Sequence, residues 1–171
     1  MKAKATNPEI KLLLEILDRA YVKKAWHGPS LRGSIRGLTA KEAAWRPAPG
    51  CHNIWEIVVH AAYWKYAVRR RIRRDKRGSF PLKGSNWFHR PDSQTEEAWR
   101  RDIELLEREH ATMREAISEL SSSQLYDSAR GSKTSNVVLI YGIACHDVYH
   151  AGQIQLLKRL QRSRKRSRKR G

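Results

Sequence analysis

Cysteine is scarce in this chain. Cys51 and Cys145 are the only two among 171 residues, which excludes a disulfide framework and favours a reducing interior. Long apolar runs are missing as well: no stretch reaches the ~18 residues of a membrane span, and Met1 to Asn7 lacks the apolar centre of a signal peptide. A soluble, cytoplasmic protein with no membrane partner is therefore expected. No stretch alternates in the manner of a strand and no segment repeats, which leaves an all-α protein. Acidic residues are few, 17 against 35 Lys and Arg, for a net charge of +18. Such a balance raises nucleic acid as a partner through its phosphates. No base-reading motif or stacking platform is visible in the sequence, so nucleic acid is not the favoured partner.

The charge is unevenly spread. Arg162 to Gly171 reads RSRKRSRKRG and holds seven positive charges and no apolar residue. Residues 161–171 are accordingly expected to form a disordered basic tail behind a folded domain of residues 1–160. Without those seven charges the body still carries +11, that is 18 − 7. Part of this excess is a second cluster, Arg69 to Arg77, which continues a helix into a loop.

Four long helical patterns account for the apolar residues. Asn7-Pro8 starts the first, with Ile10, Leu13, Leu14, Leu17 and Tyr21 on one stripe to about Lys24. Glycines between Gly28 and Gly37 interrupt the pattern, and Thr39-Ala-Lys-Glu42 is a capping box for one short helix that ends before Pro47. The second long helix begins near His52 or Asn53 and reaches about Arg74, with Ile54, Ile57, Val58, Ala61, Trp64, Val68 and Ile72 inward. Asp75 to Asp92 has no periodicity and reads as an unusually long loop, a length associated with function. The third helix starts at a Ser93-Gln-Thr-Glu96 capping box and continues through Trp99, Ile103, Leu106, His110, Met113 and Ile117 to Leu120. A polar connection with one apolar turn at Leu125 and Tyr126 leads to the fourth, Asn136 to Leu160, with Leu139, Ile143, His146, His150, Ile154, Leu157 and Leu160 inward. The architecture expected is a four-helix bundle in which the long loop crosses between the second and third long helices, giving an up-down-down-up order.

His146 and His150 are the centre of the functional reading. Four residues apart on a helix, their imidazoles lie on one face and can reach a single ion. His60, inward on the second long helix, offers a third donor. Three imidazoles leave coordination positions open for water or substrate, as catalytic rather than structural sites do. His52 is the rival third ligand, although its place near a helix start suits capping or exposure. His110 reads as a hydrogen-bonded core residue, while His27 and His89 fall in loops. The zincin pattern H-E-x-x-H is nearly present, but Asp147 occupies the glutamate position. Cys145 lies about 100° from His146 around the helix and reads as a small core residue.

Several stretches resemble the DinB family of metal-dependent bundles, within the DinB/YfiT-like superfamily. They are Pro47-Ala-Pro-Gly50, Ile54-Trp55-Glu56-Ile57-Val58-Val59-His60, Asn86-Trp87, Glu97-Ala98-Trp99 and the segment from Gly142 through His146, His150 and Gln153 to Ile154. The resemblance covers most of Asn7 to Leu160, and the basic tail lies outside it. It implies one metal histidine from the second helix and two from the fourth, matching His60, His146 and His150. It further implies one divalent ion, nickel or zinc foremost, a homodimer, and kinship with S-transferases that use bacillithiol or mycothiol and with a thiol-dependent isomerase.

Three functions follow as expectations. The first is a divalent-metal enzyme, an S-transferase that activates a low-molecular-weight thiol toward a small electrophilic substrate. Glu56, Tyr149 and Gln153 are its catalytic or pocket residues, with Glu56 as a general base and Gln153 orienting a ligand. The Arg69 to Arg77 cluster is placed to hold carboxylates of an anionic thiol. The second is a metal-dependent hydrolase using the same ligands. The third is a stress-response or nucleic-acid-binding protein in which the metal is structural and the tail meets phosphate.

Overall fold

In the computed structural model, which describes residues 7–128 and 132–167, Asn7 accepts the Glu9 N–H and Pro8 opens helix α1, Pro8–Tyr21. A short helix α2, Leu31–Ser34, lies inside the stretch that the glycines were expected to interrupt, with Ser30 as its cap. The predicted capping box starts α3, Ala40–Ala44, with both the Thr39 and the Glu42 hydrogen bonds formed. Asn53 and Glu56 make a second box at the start of α4, Ile54–Arg73, which stops where Arg74 turns left-handed at φ 59°.

The start of α5, Glu96–Ser118, differs from expectation. Thr95, not Ser93, is the cap, and its hydroxyl accepts the Ala98 N–H. Glu96 does not reach back to Ser93; it accepts the Ala40 N–H of α3 at 2.9 Å, so a tertiary contact has claimed the carboxylate. A single 3-10 turn, Ser123–Tyr126, occupies the predicted apolar turn, and α6 runs Asn136–Ser167. Among the described residues there is no strand, only two isolated bridges, and no helix is long and apolar enough to cross a membrane.

The end of α6 is a second departure. Leu160, predicted to be inward, is 43% exposed, and the helix continues to Ser167 through residues that were expected to be disordered. The reason lies in α2 and α3: Lys158 donates to the Ser34 carbonyl at 2.8 Å, Gln161 to the Glu42 carbonyl at 3.3 Å, and Lys165 to the Glu42 carboxylate at 3.0 Å. Residues 168–171 of the expected tail lie outside the described residues.

Two apolar clusters form the core. One joins Ile54 to Ala62 of α4 with Trp99, Leu105 and Leu106 of α5 and Ile154 and Leu157 of α6. The other joins Val68 and Ile72 of α4 with α1, Met113 and Ile117 of α5, and Ile140 to Ala144 of α6. Between them, at mid-helix, come Lys65 on α4, Glu109 and His110 on α5, and Asp147 and His150 on α6, all buried. The interior therefore has a polar layer sandwiched between oily ones. Residues 75–95 are tied to this body by Phe88, which is buried, and by Arg90, whose carbonyl accepts from Asn53 and whose guanidinium grips Asp102, both at 2.8 Å.

Candidate metal centre

α4 and α6 place His60, His146 and His150 together. One ligand atom from each lies within 4.8 Å of the others. His60 Nε2 and His150 Nε2 are each 3.1 Å from His146 Nε2. Two nitrogens about 2.1 Å from one ion and 90–110° apart would be separated by roughly 3.0–3.4 Å, so this spacing is that of a coordination set.

The outer nitrogens explain which atoms are left for the ion. His60 Nδ1–H donates to the Asn86 carbonyl at 2.8 Å and His150 Nδ1–H to Gln153 Oε1 at 2.7 Å. Carbonyl oxygens only accept, so both rings carry their proton on Nδ1 and present a bare Nε2 lone pair. His146 Nε2 can donate to at most one of them. At least one of the two 3.1 Å contacts therefore sets lone pair against lone pair, which a cation resolves. Burial pushes the His60 ring down to about 4 and the His146 ring down to about 3, and it also lowers His150. All three imidazoles are neutral at neutral pH, the form that binds a metal.

The loop supplies more than a carbonyl. Asn86 is left-handed at φ 63°, a conformation Asn tolerates better than most residues, and its side-chain oxygen accepts from Trp64 Nε1 at 2.9 Å. Trp87 then stacks on His60 with 3.8 Å between ring centroids, and His52 stacks on Trp87 at 3.6 Å. His52, the rival ligand, is thus separated from the three imidazoles by an indole. Its Nδ1 donates to Glu56 at 2.9 Å.

The other expected site residues have distinct surroundings. Glu56 is 3% exposed, is held by both Nη atoms of Arg46, and also caps the start of α4. Burial raises its carboxyl, but Arg46 and His52 outweigh that and hold it at about 2, which makes it a permanent anion. Gln153 bridges the site, accepting from His150 and donating to the Tyr149 hydroxyl at 3.0 Å. Tyr149 itself is 63% exposed. Cys145, expected in the core, is exposed. One residue further round the helix than predicted, Ala144 takes the buried position. His27 and His89 are exposed, as read from the sequence.

Asp147 does not face the imidazoles. It is fully buried against Lys65, with Nζ 2.5 Å from Oδ2, and burial drives each partner toward its neutral form against the attraction of the other. Lys65 also lies over the Tyr21 ring at 4.8 Å, and Tyr21 stacks on His110 at 3.7 Å. His110 is buried as predicted, yet its Nδ1 has no hydrogen-bond partner. Three of the seven cations of the Arg69 to Arg77 cluster are committed to acids: Arg69 to Glu109, Arg73 to Glu115 and Glu119, and Arg74 to Asp127. The sequence reading missed Lys65, Arg46 and the role of Asn86. Lysine in the middle of an apolar stripe was the one available signal.

No match was found among curated proteins. A solved structure of a conserved protein from Enterococcus faecalis shares the fold, with a TM-score of 0.64 and 18% identity over 92% of this chain and 97% of that one. The family model described as the DinB superfamily matches residues 25–154, well over half the sequence and inclusive of all three histidines. By this match, the chain belongs to the DinB superfamily.

Proposed function

We propose that this protein is a divalent-metal enzyme that transfers a low-molecular-weight thiol to a small electrophile, with His60, His146 and His150 as the metal ligands. The observation that carries the reading is the convergence of three neutral Nε2 atoms while two of the outer N–H groups are held by carbonyls. Nickel or zinc suits three imidazoles with open positions. Bound there, the ion supplies Lewis acidity, lowering the pKa of a thiol or water that shares its coordination sphere.

The chain's own residues do the rest. Asn86 and Gln153 hold the two outer rings in orientation, and Trp87 covers one face of His60 and keeps water from it. Tyr149, hydrogen-bonded to Gln153 at the exposed edge, is placed to meet the substrate. In the reaction the sulfur forms a bond to the electrophilic carbon, the leaving group departs with its electron pair, and the thiol proton goes to solvent. Glu56, anionic and bound by Arg46, serves by fixing the start of α4 rather than by accepting that proton.

The bundle is proposed to be up-down-down-up, with residues 75–95 as the crossover. Supporting this, α4 and α5 each meet the two apolar clusters in one order along the chain and α6 meets them in the reverse order. A homodimer is proposed to cover the apolar groove between α1 and α6 lined by Ile16, Trp26 and Val148.

The test is to load the protein with nickel or zinc and incubate it with bacillithiol, mycothiol or glutathione and an alkylating electrophile. Metal-dependent thioether formation is expected, and it is expected to disappear in His150→Ala. Ester or amide hydrolysis without any thioether would reject the transferase in favour of a hydrolase.

A further inference from the structure

The end of α6 presents a cationic surface that the metal site does not use. Residues 31–46 and 158–167 together contain ten Lys and Arg and a single acid, Glu42. Beyond Leu160, α6 has no apolar residue, and Arg162, Arg164, Lys165 and Arg166 are exposed. In the other basic cluster, Arg69, Arg73 and Arg74 are paired with acids of α5 and the following turn, while Arg70, Arg71, Lys76 and Arg77 form no ion pair among the described residues. Here, among the described residues, the ion pairs are Lys165 with Glu42, Arg32 with Glu107 and Arg46 with Glu56. Arg36, Lys41, Arg159, Arg162, Arg164 and Arg166 thus hold charge that no acid of the described residues balances.

A groove runs between this helix end and α3. It has a volume of about 440 Å³ and is lined by Thr39, Lys41, Glu42, Trp45, Gln161, Arg164 and Lys165. Trp45 is half-buried in its wall. An indole beside guanidinium groups combines the two elements with which proteins hold unpaired nucleic acid: a cationic track for the phosphates and an aromatic platform for a base.

We propose that this face binds single-stranded nucleic acid, with phosphates at Lys41 and Arg164, which line the groove, and a base against Trp45. Duplex is the poorer fit. Lys158, Gln161 and Lys165 bond the helix to α2 and α3, so its flank is covered and it cannot lie free in a major groove. A membrane surface is also a poorer fit, because an interfacial helix needs an apolar face and residues 161–167 have none. The track stands on charge and exposure, and it is independent of whether the three histidines hold a metal.

The test is fluorescence anisotropy of the full chain with labelled oligothymidylate over a range of salt. Binding is expected to weaken with salt, and replacing Lys41 and Arg164 together by Gln should weaken it at least tenfold and lower the log–log salt slope by about 1.4, at ~0.7 per phosphate contact. Replacing Arg77 and Lys133, exposed cations elsewhere on the chain, by Gln is the control. An equal loss in that control would reduce the effect to net charge and overturn the site. Trp45→Leu should lose the preference for the single strand over duplex and Trp45→Phe should keep it, with circular dichroism verifying that each variant is folded. A Trp45→Leu protein that binds both as the parent does would overturn the stacking assignment. Binding to phosphatidylserine vesicles but to no oligonucleotide would overturn the proposal as a whole.

Discussion

His146 and Asp147 are consecutive residues of α6, yet they lead into two different buried polar regions. Around His146 three Nε2 atoms face one another, the outer N–H groups of His60 and His150 are satisfied, and one further atom, His146 Nδ1, is left without a partner. Around Asp147 a close pair has formed with Lys65, and what remains unmet is dispersed over three helices, at Asp147 Oδ1, Tyr21 OH and His110 Nδ1. Convergent unmet valence marks a place for a ligand. Dispersed unmet valence marks an interior whose polar groups are held by one strong pair, so the two regions should respond differently to the same kind of perturbation.

The largest effect is expected in the Asp147 region. Lys65→Ala leaves a carboxylate buried without its partner and should destabilise the protein by about 3–5 kcal/mol in denaturant melts, whereas Lys65→Met with Asp147→Leu should recover most of that loss. If the double variant stays as unstable as the single one, the pair does more than neutralise itself. In the His146 region, His60→Ala, His146→Ala or His150→Ala should abolish stoichiometric metal by elemental analysis, and His52→Ala should retain it. Metal at a hundredfold excess over its Kd should stabilise the parent by about 2.7 kcal/mol and leave His150→Ala unmoved in thermal melts. A smaller change is expected for Gln153→Leu, which removes the acceptor of His150 Nδ1–H: metal affinity should fall about 10- to 100-fold by competition with a chromophoric chelator.

The last effect, absent at neutral pH and developing only in acid, is the pH dependence of His110. Burial lowers its pKa from the ordinary 6.5 to about 3, so the folded state refuses a proton that the unfolded chain accepts. Stability is then complete above pH 6.5 and falls by about 1.4 kcal/mol per pH unit as pH drops from 6.5 toward 3. His110→Phe should flatten the acid limb of metal-free protein by that slope in urea melts at stepped pH. An unchanged slope would assign the acid sensitivity to His60 and His146, whose pKa values are also lowered by burial.

Much of this was legible in the sequence where periodicity speaks. The stripe through Ile57 and Trp64 brought His60 inward, and the four-residue step from His146 to His150 fixed a shared face. Periodicity could not foresee partners that arrive from distant segments. Glu96 was lost to Ala40, Glu56 to Arg46, and Arg69, Arg73 and Arg74 to acids on α5 and the turn after it. Composition likewise spoke for a tail where α2 and α3 instead hold a helix through Ser167. Lys65 was visible as a misfit in an apolar stripe, but its meaning required Asp147 opposite.

His60 is oriented by the carbonyl of residue 86, an atom every amino acid possesses. An alanine scan would pass over this contact without a signal, because replacing the Asn86 side chain leaves the peptide oxygen in the chain. The vulnerability lies in chain length and path. Removing one residue from the segment that precedes Asn86 would withdraw the acceptor and free the His60 ring to rotate, with every residue of the triad still intact.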